Sequence, residues 1–286
     1  MQAHCPSRTA QRVALRRAAH QLLDTPKIFE DPLALPLVGL SPEAQIDPTQ
    51  DWLSQEPLSR VLRASLAARS RFADEALIAA INHGIRQVVI LGAGLDTFAY
   101  RHAADLTRIR VFEVDHPATQ DWKRGRLACA RIPIPGTLSF VPMDFERSSL
   151  REGLALAGFD FQQNALFSWL GVSMYLSETA VHRTLALVAE LPVDSGIVLD
   201  YMIPPDSLGE KGRRIFAALA RRVAASGEPF RSFFAPAQLA AKLQAMGLNA
   251  IENLGPEQLD GRYCAGRRDG LRVGRLGHVV LARKTR

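Results

Sequence analysis

The strongest constraint on this chain is a short apolar run that stops at glycines. Val88-Val89-Ile90-Leu91 leads straight into Gly92-Ala93-Gly94. Four apolar residues without polar alternation fit a strand covered on both faces, as in a parallel sheet between two layers of helices. At the carboxyl end of such a strand, glycines let a ligand approach the backbone closely. Before the run, Leu58, Val61, Leu62, Leu66, Phe72, Ala76, Leu77 and Ala80 recur at helical spacing over residues 57–83, and Gly84 stands where the helix would stop. After it, strand-like segments at 111–115, 138–144, 165–172 and 196–202 alternate with helical segments near 117–130, 148–157 and 177–191. Two further strands are expected at 250–254 and 278–283, after a helix that begins at Pro236 and stops at Gly247. This alternation predicts an α/β fold with a doubly wound, mostly parallel, seven-stranded sheet.

Two stretches stand outside the alternation. Residues 1–56 carry Pro6, Pro26, Pro32, Pro36, Pro42 and Pro48 and read as a cap of short helices and loops, with 8–17 an amphipathic or frayed helix end. Residues 203–235 are far longer than the roughly 2–6 residues of an ordinary connection in an α/β unit. They contain a helix-compatible run at 208–225 and then Glu228-Pro229-Phe230-Arg231-Ser232-Phe233-Phe234, which reads as a lid. The expectation is one domain over 1–286, with a cap and a lid insertion before the last helix.

With 47% hydrophobic and 22% charged residues in 286, disorder and fibrous repeats are excluded, and the core needs no disulfide or metal to hold it. Cys5, Cys129 and Cys264 are odd in number and widely spaced, neither a disulfide framework nor a metal clip. No apolar run approaches the roughly 20 residues of a membrane span, and the amino terminus lacks the apolar stretch of a signal peptide. A cytoplasmic protein without a membrane partner is expected. The seven histidines show no ligand spacing, so no metal is expected either. The net charge of +6 is unevenly spread: residues 1–200 hold 20 Lys and Arg against 22 Asp and Glu, whereas 201–286 hold 15 against 7.

Asp115 ends the second strand, 21 residues beyond Gly94, where a carboxylate can accept from both hydroxyls of a ribose. A G-x-G alone is equally a structural tight turn. The third glycine of a dinucleotide fingerprint is Thr97 here, which argues against a pyrophosphate at the helix N-terminus. A ligand with a ribose and no phosphates, such as S-adenosylmethionine, fits better. Asp144 can accept from an adenine amino group with Phe145 packed nearby, and it reads equally as the N-cap of the helix behind it.

Three long segments, 89–97 (VILGAGLDT), 112–117 (FEVDHP) and 167–176 (FSWLGVSMYL), resemble the bacterial branch of the leucine carboxyl methyltransferase family, S-adenosylmethionine-dependent O-methyltransferases. Arg17-Ala18-Ala19-His20, Lys27-Ile28-Phe29-Glu30-Asp31-Pro32, Arg69-Ser70-Arg71-Phe72 and Gly227-Glu228-Pro229-Phe230 extend the resemblance over most of the chain. It implies a class I, Rossmann-like methyltransferase fold. It also implies that Gly92 and Gly94 approach the methionine part of the cofactor, Asp115 holds the ribose, and Asp144 with Phe145 binds the adenine. Arg69 or Arg71 would clasp the cofactor carboxylate with a planar fork of donors, assisted by Lys27; without the resemblance both arginines read as a solvated helix face. The eukaryotic members carry a glutamate where this chain has Trp169, so a small-molecule acceptor, methylated on a carboxylate or hydroxyl in specialised metabolism, is expected instead of a phosphatase tail. Trp169, Tyr175 and Phe233 are the acceptor-site candidates, with a core aromatic or the lid's own core as the alternative for each. No base is assigned: neither His116 nor His182 has a partner arrangement that marks it as catalytic, and a carboxylate acceptor needs no base.

Two other classes stay open. Arg262, Arg267, Arg268, Arg272 and Arg275 suggest nucleic acid, but Tyr263 is the one aromatic among them and a binding face mixes both. With Gly261, Gly266, Gly270, Gly274 and Gly277 interspersed, a solvated, turn-rich loop is the favoured reading, and nucleic acid is not the expected partner. The other class is a non-catalytic S-adenosylmethionine-binding module. A homo-oligomer is compatible with all three.

Overall fold

A computed structural model describes residues 7–41, 53–225 and 227–285; Cys5, Pro6, Pro42 and Pro48 lie outside them. The strands are β1 (Gln87–Leu91), β2 (Arg110–Asp115), β3 (Leu138–Pro142), β4 (Ala165–Trp169), β5 (Gly196–Met202), β6 (Ala250–Leu254) and β7 (Gly277–Arg283). They form one sheet in the order β3-β2-β1-β4-β5-β7-β6. Pairing is parallel from β3 through β5, and β7 runs antiparallel between β5 and β6. The chain winds outward from β1 to β3, then returns to place β4 on the other side of β1. Connections diverge at that reversal, and a crevice opens beyond the carboxyl ends of β1 and β4.

The strand period of two divides the core into layers. Val89, Leu91, Phe112 and Val114 point to one face, where α6 (Leu150–Leu156), α7 (Glu178–Glu190) and α9 (Pro236–Ala245) contribute Leu154, Leu185 and Leu243. Val88, Ile90 and Val111 point to the other, covered by α3 (Pro57–Asn82), α4 (Phe98–Arg101) and α5 (Pro117–Cys129). Several boundaries differ from the sequence expectation. β4 ends at Trp169 because the chain breaks away at Leu170 and Gly171, the latter at φ +73°. The N-cap of α6 is Ser149, whose hydroxyl accepts from Glu152 N at 3.3 Å, so Asp144 is not that cap.

The cap contains α1 (Arg8–Leu23) and α2 (Ala34–Val38). α1 is not a frayed end: the Ser7 hydroxyl accepts from Ala10 N at 3.0 Å, and Ala14, Ala18, Ala19 and His20 are buried. Asp24 fastens α1 to α3 by accepting from Arg63 through both oxygens at 3.0 Å and pairing with His20 Nδ1 at 2.8 Å. Burial opposes that carboxylate's charge, but the His20 and Arg63 hydrogen bonds prevail and hold its pKa at about 2. The insertion holds a 3-10 turn at Pro205–Ser207, α8 (Glu210–Ala224) and an irregular return through residues 227–234.

The basic carboxyl-terminal stretch is turn-rich and largely exposed over residues 264–276, as expected of a loop, but a helix precedes it and apolar side chains anchor it. α10 (Pro256–Tyr263) is that helix, and Leu259, Tyr263, Cys264, Leu271 and Val273 are buried against α3 residues Ala64, Ala68 and Phe72. Arg262 pairs with Glu75 and Glu252, and Arg267 with Asp269. Two of the five arginines therefore serve the packing of this segment rather than an open cationic face.

Candidate functional site

A cavity of about 460 Å³ opens in the crevice, within the range of roughly 300–1,000 Å³ that small-molecule sites occupy. Its floor comes from the turn after β1. Gly92 sits at φ +62°, and a Cβ there would lie 2.2 Å from Val172 Cγ2, so glycine is required both by conformation and by space. The turn is tied to β2: Gly92 N donates to Val114 O at 2.7 Å, and Gly94 N to Asp115 Oδ2 at 2.6 Å. Asp115 Oδ1 accepts from His116 N at 2.6 Å. Burial pushes the Asp115 carboxyl up, and those two backbone donors oppose the shift. A carboxylate has about four acceptor positions, so two remain for hydroxyls from the cavity. Asp144 and Phe145 line the next stretch of wall. Asp144 Oδ1 accepts from Glu146 N at 2.9 Å, which shapes the turn after β3.

The position of the missing third glycine is filled by a polar network. Thr97 Oγ1 accepts from Arg17 Nη2 and from Arg101 Nε, both at 2.9 Å, and donates to Asp31 Oδ2 at 2.9 Å. Arg17 pairs with Asp31 at 2.6 Å. Where a phosphate would meet the helix N-terminus, the chain supplies its own guanidinium and carboxylate. A ribose-bearing ligand without phosphates fits these residues.

The rest of the cavity wall is assembled from distant segments. Arg69 reaches in from α3, paired with Asp200 of β5. Tyr175 lines the wall and stacks on Phe230 with ring centroids 5.4 Å apart. Burial raises its phenol pKa, so it stays neutral. Glu228 and Pro229 of the insertion close over the start of α1, where Thr9 N donates to Glu228 Oε2 at 3.1 Å. Arg231 pairs with Glu146 at 2.8 Å across the same rim.

Gly92, Gly94, Asp115, Asp144, Phe145, Arg69 and Tyr175 thus meet around one cavity. The other expected residues do not. Arg71 is two positions from Arg69 on the same helix, a separation that turns a side chain to a different face; it bonds Glu75 and lies over the Tyr263 ring. Lys27 is exposed outside the cavity. Trp169 is fully buried beneath Phe145, with ring centroids 6.4 Å apart, and contributes no cavity wall. Phe233 belongs to the insertion's own ring cluster with Phe216 and Phe230. Arg17, Glu228, Arg231 and Asp200 were missed as site residues. Their pairings span up to 219 positions; Arg17, Glu228 and Arg231 at least stood inside quoted segments, whereas Asp200 stood in none.

The family profile described as leucine carboxyl methyltransferase matches residues 10–189. The chain belongs to this family. Two relatives bear the name "Putative S-adenosyl-L-methionine-dependent methyltransferase". YktD of Bacillus subtilis is 32% identical over 295 residues, covering 95% of each chain. A Mycobacterium avium protein is 33% identical over 210 residues, covering 70% of this chain and 67% of its own length. Among solved structures, a DUF574 family protein from Streptomyces avermitilis has a TM-score of 0.58 at 18% identity, covering 95% of this chain and 96% of that one. That likeness shows the fold the family shares. No described helix is long and apolar enough to cross a membrane.

Proposed function

We propose that this protein moves the methyl group of S-adenosyl-L-methionine to an oxygen of a small acceptor, a carboxylate or a hydroxyl, enclosed beneath the cap and the insertion. Methyl transfer from S-adenosyl-L-methionine follows from the family; the oxygen and the small acceptor are supported by the enclosed cavity. The carrying observation is that one cavity gathers two sets of residues. Gly92, Gly94, Asp115, Asp144 and Phe145 suit a nucleoside. Tyr175, Glu228 and Arg231 line the same cavity beside the Thr9–Glu228 contact, with Arg69 reaching in from α3.

The cofactor, when bound, supplies an activated methyl group on a sulfonium. Asp115 takes the ribose hydroxyls, Phe145 offers an apolar wall to the adenine, and Arg69 takes the methionine carboxylate. The sheet fixes these groups, so the protein's main contribution is alignment, a term worth roughly 7–11 kcal/mol in well-oriented reactions. Glu228 and Pro229, resting on α1, exclude water from the acceptor. A carboxylate acceptor reacts without a base; a hydroxyl gains about 10²–10⁴ in rate from one.

Incubating the protein with S-adenosyl-L-methionine and a panel of aromatic and aliphatic acids and alcohols, with mass detection of methyl esters and ethers, tests this reading. Formation of S-adenosylhomocysteine with an O-methylated product is expected. Methylation confined to nitrogen or carbon acceptors would overturn it.

A further inference from the structure

We propose that Asp200 is a positioning residue for the cofactor: it holds the Arg69 guanidinium in the orientation from which Arg69 takes the methionine carboxylate. The proposal rests on the methyltransferase reading. Asp200 lies near the carboxyl end of β5, 6% exposed, and is not part of the cavity wall. Arg69, which is part of that wall, comes from the middle of α3 on a long stem with many rotamers. Asp200 Oδ2 accepts from Arg69 Nη1, and Oδ1 accepts from Gly171 N at 2.5 Å. One buried carboxylate therefore joins three elements: α3, the chain leaving β4, and β5.

Gly171 completes the joint. It sits at φ +73°, and a Cβ there would lie 2.7 Å from Arg69 Nη2. The guanidinium is consequently pressed against a bare backbone on one side and held by a carboxylate on the other. A guanidinium has five N–H donors in a fixed plane, so engaging Nη1 sets where the remaining donors point and leaves them for a second carboxylate. The same anchor continues into the insertion: Ser173 Oγ donates to Asp200 O at 2.7 Å, and Ser232 Oγ donates to Ser173 O at 2.8 Å. Asp200 is not placed to bind the cofactor itself; its effect passes through Arg69.

Two ligands separate positioning from general support. S-Adenosylhomocysteine carries the amino-acid carboxylate, and 5′-methylthioadenosine has the same nucleoside without it. Calorimetric dissociation constants for both are measured on the wild-type protein and on Asp200→Asn, which keeps an oxygen for Gly171 N but loses the charge. Expected is a loss of about tenfold or more for S-adenosylhomocysteine, the scale of a hydrogen bond to a charged group, with 5′-methylthioadenosine changed by less than about twofold. Equal weakening of both ligands, or of neither, overturns the proposal. If Asp200→Asn fails to fold, Gly171→Ala displaces Arg69 Nη2 from the opposite side, and the same selective loss is expected. Failure of the wild-type protein to bind either ligand strikes the methyltransferase reading instead.

Discussion

In the cavity wall, Gly92, Gly94, Asp115 and Asp144 are delivered by the ends of three adjacent strands, whereas Thr9, Tyr175, Glu228 and Arg231 converge from α1, the chain after β4 and the insertion. The first set is held by backbone: glycine torsions, main-chain donors and strand register. The second is held by side chains that bridge distant segments. A backbone-built set cannot change its ligand without disturbing the sheet, while the side-chain-built set can be re-specified inside the same fold. Under the proposed function, cofactor use is therefore the fixed property of this chain, and acceptor choice the adjustable one.

The comparison breaks most readily at Gly92. Gly92→Val adds a strained torsion and a contact at 2.2 Å with Val172, a cost of roughly 3 kcal/mol, so cofactor affinity falls about 100-fold by calorimetry. The next largest effect concerns the cap, whose α1 lines the cavity. Asp24→Asn leaves the fully buried Arg63 with a weakened partner and lowers stability by about 3 kcal/mol in denaturant titration. Because the Asp24 pKa is depressed from 3.8 to about 2, its contribution is present above the unfolded value and is lost as pH falls from about 4 towards 2. Ellipticity over that window checks the sign, and Asp24→Asn flattens the dependence.

Glu228→Gln weakens the hydrogen bond from Thr9 N and loosens the closure. Turnover with an identified acceptor falls about tenfold, while the dissociation constant for S-adenosyl-L-methionine stays within about twofold. A matching loss of cofactor affinity would erase the division between the two sets of wall residues. The smallest effect is expected at Arg231, whose pairing with Glu146 is part-exposed at the rim. Arg231→Ala changes stability by about 1 kcal/mol or less.

The same division explains what was legible in the sequence. The run at 88–91, the glycines after it and the acid ending the next strand each leave a local signature, because conformation and strand period act over a few residues. The doubly wound, mostly parallel sheet and the position of Asp115 followed. Arg69 and Arg71 were indistinguishable by type, although their spacing of two on one helix already requires different directions. Lys27 and Trp169 were carried over from motifs whose side chains here turn outward and into the core, respectively. Asp200 and Glu228 leave no local pattern, since their partners lie 131 and 219 positions away. α10 was hidden by Gly261 and the surrounding arginines, yet Leu259 and Tyr263, four apart, were its apolar face.

The central claim is that strand ends β1 and β2 form a nucleoside site for S-adenosyl-L-methionine. Isothermal titration of the wild-type protein and Asp115→Ala with that cofactor tests it most directly. One-to-one binding by the wild type, weakened about 100-fold in the variant through loss of two charge-assisted hydrogen bonds, is the expected result. No binding by the wild type, or undiminished binding by Asp115→Ala, would contradict the account.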